Sequence, residues 1–116
     1  MSTAPSPAAS APPTIHEAAL ASGPSGAVEW GAELILDQAV NRRRSGEDVV
    51  VRGDDEIANR RLAGAIESAV GPATKPQPPH THSAGAHALP HFHQRSRVPA
   101  GHTFYETRNR NARRKR

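Results

Sequence analysis

Three consecutive valines, Val49 to Val51, set in the run DVVVR at 48–52 and bracketed by Gly46 and Gly53, constrain this chain more than any other feature. β-Branched side chains fit an extended backbone, so the run reads as a short, well-buried strand. Such a strand needs elements to cover it. Directly after it, Asp54 or Asp55 is placed to cap a helix with the apolar stripe Ala58, Leu62, Ala65, Ile66 and Ala69, ended by Gly71-Pro72. Asn59, Arg60, Arg61 and Glu67 fall on its polar positions. Ahead of the valines, residues 27–43 read as another helix. Glu29, Glu33 and Asp37 recur every fourth residue, Val28, Ala32, Ile35 and Ala39 take a different face, and Arg42–Arg44 complement the negative end of the dipole. Trp30, the only tryptophan, is expected to anchor the core from within that helix.

Residues 1–26 are almost entirely Ala, Pro, Ser, Thr and Gly, a composition that buries too little apolar area to offset backbone ordering. They read as a disordered leader, with at most a marginal helical turn at 15–21 and an exposed His16. The folding unit is then 27–107, small enough that a single core is marginal, and 108–116 is a basic tail expected to be mobile without a partner. With no cysteine, neither disulfides nor thiolate ligands brace it. No apolar run approaches the length of a membrane span and no secretory signal pattern begins the chain, so a cytoplasmic location, or delivery by a route without a signal peptide, is expected. Charge is polarised: up to Glu67 there are 6 basic and 10 acidic residues, and after it 9 and 1. A basic, histidine-bearing second half suits a polyanion such as RNA or another nucleic acid.

The chemistry concentrates in ALPHFHQRSRVPAGHTFYE at 88–106, read as a hairpin whose loop carries Arg95 and Arg97. Strand alternation puts His91 and His93 on one face and Phe92 on the other. If Phe92 and Phe104 both turn inward, Tyr105 joins those histidines. If Tyr105 is the buried aromatic, His102 and Glu106 join them instead. Either way the set suits metal-independent RNA cleavage, in which one group takes the 2′-hydroxyl proton, another protonates the leaving 5′-oxygen, and a cation offsets the developing charge. The leading acid–base pair is His91 and His102. His93 and Tyr105 orient phosphate, Glu106 is a further base, and Arg95 or Arg97 supplies charge. Arg97, Arg108, Arg110, Arg113, Arg114, Lys115 and Arg116 would hold the backbone. Two alternatives use the same residues: a non-catalytic nucleic-acid-binding module, and a metal site built from the His80-x-His82 and His91-x-His93 pairs, although no cofactor is expected. No Walker loop, dinucleotide glycine motif, zinc-finger spacing or nucleophile elbow occurs.

The segments DVVVRG at 48–53, ANRRLAGAIESAVGP at 58–72, ALPHFHQ at 88–94 and GHTFYE at 101–106 resemble the C-terminal toxin modules of bacterial polymorphic toxins, over about half the chain. The resemblance implies interbacterial competition, nuclease activity in a neighbouring cell's cytoplasm, an acidic immunity protein in the producer, and a site at the histidines with Glu106 and Tyr105 as partners. The expected architecture is α+β: two helices packed on a short antiparallel sheet completed by the C-terminal hairpin.

Overall fold

The computed structural model describes residues 11–21, 26–79 and 85–115. In chain order its elements are β1 (Thr14–Leu20), β2 (Val28–Leu34), α1 (Leu36–Arg44), β3 (Val49–Arg52), α2 (Glu56–Val70), a 3-10 turn (Gly85–His87), β4 (His91–Phe92), β5 (Thr103–Tyr105) and β6 (Arg113–Arg114). Among the described residues the strands form one six-stranded sheet in the order β4-β5-β3-β1-β2-β6. The valine run is its interior: β3 lies antiparallel to β1 and parallel to β5, and all three valines are fully buried. Val49 and Val51 pack towards Ala39 and Val40 of α1 and Ala63 and Ile66 of α2. Val50 faces the opposite side, against Phe104, Leu89 and Ala112. The α+β class with helices on a sheet holds, but the sheet is mixed and larger than the hairpin-completed antiparallel one expected.

Two further expectations need correction. Thr14–Leu20, assigned to the leader, is a strand paired on both edges, with Ile15 opposite Leu34 on one side and Val51 on the other. Its intrinsic helix tendency yields to the backbone partners that β2 and β3 supply. His16 is accordingly buried: its Nδ1 donates to the Gly31 carbonyl and its Nε2 accepts from the Thr14 hydroxyl, each at 3.0 Å. The helix expected from 27 begins only at Leu36, and Val28–Leu34 is a strand. A repeat of four residues is also an even number, so the acidic spacing that marks one helix face is equally that of one strand face. A register slip opposite Glu17 then turns Leu34 towards the helices while Val28 and Trp30 remain on the other side.

The second helix is capped by Asp55, whose Oδ1 accepts from the backbone N–H groups of Ile57 and Ala58 at 3.0 and 3.1 Å. Its buried face differs from the apolar stripe: Asn59, Ala63, Ile66 and Glu67 are buried, while Ala65 and Ala69 are exposed. The C-terminal tail is not free. Its backbone pairs in parallel with β2 through Arg113 and Arg114, and Ala112 fills the sheet face opposite the helices. None of the described helices is long and apolar enough to cross a membrane.

Because β1 is interior, a chain starting at Ala27 is expected to lose its cooperative thermal transition by circular dichroism. In the full chain, Ile15→Ala should cost about 2–4 kcal/mol by urea unfolding. A truncated chain that melts like the intact one would show that β1 is dispensable.

Candidate functional site

The hairpin forms as its alternation requires, with His91 opposite Phe104 and Phe92 opposite Thr103. Its outer edge is covered. The Pro-rich segment after α2 runs alongside β4: Gln77 and His91 exchange backbone bonds of 2.8 and 3.1 Å, and Thr74 N–H donates to the His93 carbonyl at 2.9 Å. Phe92 and Tyr105 turn towards the helices, their ring centres 5.6 Å apart, and Phe92 lies against Gly64 of α2. Tyr105 is therefore the inward aromatic, and His102 joins His91 and His93 on the opposite face. The ring centres of His91 and His102 are 4.8 Å apart, those of His91 and His93 6.0 Å, and those of His93 and His102 6.2 Å. Phe104 floors the cluster at 5.5 Å from His91 and 5.3 Å from His102.

Two of the three imidazoles reach a cavity of about 290 Å³ lined by His93, Arg97, Pro99, Ala100, Gly101 and His102. His91, only 3% exposed, stands behind His102. The His93 Nδ1 lies 2.8 Å from the Gln94 carbonyl, which can only accept, so Nδ1 carries hydrogen and Nε2 is left as the proton-exchanging nitrogen. Asp48 organises His102: its Oδ1 accepts the His102 backbone N–H at 2.7 Å and lies 3.4 Å from the ring Nδ1. Arg97 takes the left-handed conformation, φ 66°, at the end of a turn closed by its N–H to the Gln94 carbonyl at 3.0 Å. That conformation is uncommon outside glycine and asparagine, and it is held by the turn.

A buried ion pair fixes the walls of this cavity. Arg43 and Glu67, both fully buried, meet through two bonds, Nε to Oε1 at 2.9 Å and Nη2 to Oε2 at 3.0 Å. Glu67 also accepts from the Thr103 hydroxyl at 2.8 Å and from the Gln94 side-chain amide. Thr103 follows His102 and Gln94 follows His93, so one carboxylate ties down the neighbours of both cavity imidazoles. The Arg43 Nη1 donates to the Ala100 carbonyl at 2.8 Å and to the Glu47 carbonyl at 3.0 Å. Gly101, at φ 95°, lies so close that a Cβ there would sit 2.7 Å from Arg43 Nη1 and 2.8 Å from the Gly46 carbonyl oxygen.

The remaining expected site residues are placed elsewhere. Tyr105 is buried on the helix side, and desolvation there raises its phenol pKa above 10.0. Glu106 is buried at the far end of β5: Oε2 accepts from Arg52 Nε at 3.1 Å and Ala112 N–H at 2.9 Å, and Oε1 from Gly53 N–H at 3.3 Å. Arg95 is drawn to the outer edge by Nε donation to the Ala73 carbonyl at 3.0 Å, so Arg97 is the cation of the cavity. Among the tail residues, Arg110 Nη1 holds the Gly85 and Ala88 carbonyls at 2.8 and 3.0 Å, and Arg113 pairs with Glu29 at 3.1 Å. Arg108, Arg114 and Lys115 are exposed, and Arg116 lies outside the described residues. His80 and His82 also lie outside them; among the described residues no group of three His, Asp or Glu side chains is arranged to hold a metal ion.

Asp48 was missed because it flanks the valine run, 54 residues from His102, and only the parallel pairing of β3 with β5 brings them together. Glu67 carried no signal beyond a polar position on a helix. Comparison with known protein families, curated proteins and solved structures gave no match to this chain.

Removing one partner of a fully buried, hydrogen-bonded pair leaves an uncompensated charge, so Glu67→Ala should lower unfolding free energy by about 3–5 kcal/mol in urea. A loss below 1 kcal/mol would mean that the pair does not anchor the cavity. Tyr105 gives a pH test. Its raised folded-state pKa means that above pH ~10 the unfolded chain releases this proton before the folded one, so stability falls as pH rises through that value. Tyr105→Phe should flatten this alkaline loss, read as melting temperature against pH.

Proposed function

We propose that the protein is a metal-independent ribonuclease of the polymorphic-toxin kind, with His93 and His102 as its acid–base pair. The observation that carries this reading is the convergence of His93, His102 and Arg97 on one cavity, with Asp48 beside His102. In the proposed reaction, His102, oriented by Asp48, takes the proton of a ribose 2′-hydroxyl. The 2′-oxygen attacks the adjacent phosphorus, and His93 gives its proton to the departing 5′-oxygen, leaving a 2′,3′-cyclic phosphate and a free 5′-hydroxyl. Arg97 offsets the charge that builds on the non-bridging oxygens. His91 supports the His102 ring from behind. The Arg97 cation suits a phosphate, and an acidic immunity protein would complement the same cleft.

A second reading, binding without cleavage, draws on the exposed Arg95, Arg108, Arg114 and Lys115, which suffice for salt-dependent attraction to a polyanion. The two separate in one experiment. Purified protein is incubated with total RNA, and separately with DNA, in the presence of a chelator. RNA should be degraded, and His93→Ala and His102→Ala should each slow this by roughly 100-fold or more. Asp48→Asn should slow it less, and Tyr105→Phe hardly at all. Intact RNA bound in a salt-sensitive manner by the wild type and both variants would replace the enzyme with the binding module. Degradation that appears only on addition of zinc would move the reading to a metal site.

A further inference from the structure

We propose that Trp30, Arg52 and Arg114 form a second site that grips the phosphodiester backbone of a nucleic-acid strand a few nucleotides from the histidine cleft. This rests on the nucleic-acid reading above. Arg52 ends β3 on the same side of the sheet as Val50 and Phe104, opposite the helices. Its guanidinium carbon lies 4.1 Å from the Trp30 ring centre, and its Nε donates to Glu106 at 3.1 Å. The group is thus fixed by stacking and by one bond, and among the described residues its two terminal nitrogens have no protein acceptor. Arg114, on the edge strand β6, brings a second guanidinium carbon to 5.6 Å from the same ring.

Two like charges within 5.6 Å of one ring centre repel each other, and the indole face offsets this only in part. Glu106 matches only one of the two: it forms an ion pair with Arg52 at 3.1 Å, so the pair keeps one net positive charge, and the neighbouring Arg113 is already matched by Glu29. A phosphate would supply the missing charge and match the planar donor fork of arginine. A cavity of about 230 Å³ beside Arg52 is lined by Thr14, Gly53, Asp54 and Glu106, whose two carboxylates direct an anion to the Trp30 and Arg114 side of the guanidinium rather than into it. Position ties this site to the cleft. Asp48, which holds His102, immediately precedes β3 and Arg52 ends it, roughly 13 Å apart at ~3.3 Å per residue.

Trp30 is the only tryptophan, so its emission reports on this site alone. The full chain carrying His102→Ala is titrated at low salt with a single-stranded RNA oligonucleotide. Trp30 fluorescence is read beside the anisotropy of the end-labelled RNA. Both signals should saturate together. Arg114→Ala, exposed on a two-residue edge strand, should weaken binding roughly three- to tenfold and lower the salt slope by about one, with an unchanged circular dichroism spectrum. Arg114→Lys should recover part of the loss. RNA binding that leaves Trp30 emission unmoved, or an affinity unaffected by Arg114→Ala, overturns the site while leaving acid–base cleavage standing. A saturable Trp30 response in a protein whose wild type cuts no RNA supports the site and removes the cleavage reading. A full response to inorganic phosphate that the oligonucleotide cannot displace overturns it in favour of a small-anion site.

Discussion

The buried pairing of Arg43 with Glu67 is the interaction on which the rest of the arrangement depends. Neither charge reaches water, so each must be fully compensated by the other and by neutral hydrogen-bonding groups. That requirement draws in Thr103, Gln94 and the Ala100 carbonyl, which belong to three parts of the hairpin. A pair of this kind adds little net stability over apolar side chains of the same shape. What it contributes is geometry: helix α1, helix α2 and the hairpin loop can satisfy their buried polar groups together in one arrangement. The cavity, the turn at Arg97 and the close approach of Gly101 follow from that arrangement.

The second constraint is parity. Side chains alternate along a strand, so turning Tyr105 inward places His102 and Phe104 outward. Phe92 and Tyr105 pack against α2, and the imidazoles gather on the other face. The same face carries Arg52 and Trp30 at the far end of β3. The sheet therefore divides its labour between a helix-covered apolar side and an opposite side that bears histidine, arginine and indole. That opposite side is itself capped in part by Leu89 and by Ala112 of the C-terminal segment, which explains why residues resembling a loose basic tail are ordered and partly committed.

Much of this was legible in order along the chain. The valine run, the helix after it, the Asp55 cap and the hairpin are local patterns, and each formed where propensity and spacing placed it. The histidine face was legible down to a choice between two registers. What was not legible shares one physical cause, dependence on distant partners. Thr14–Leu20 has the composition of a leader and becomes a strand only because β2 and β3 flank it. Val28–Leu34 carries a spacing common to helix and strand, and its neighbours decide. Asp48 and Glu67 are ordinary polar positions until the fold brings His102, Gln94 and Thr103 to them.

The sequence by itself therefore determined the interior strand, the long helix, the co-facial histidines and the polarity of charge, because these depend on residues within one or two turns or strand lengths of each other. Tertiary structure alone decided that Thr14–Leu20 and the C-terminal segment join the sheet, that His93 and His102 rather than His91 face the cavity with Arg97, and that Tyr105 and Glu106 serve packing and bonding instead. Those outcomes depend on which buried charge finds which partner across the sheet, a question that local spacing does not encode.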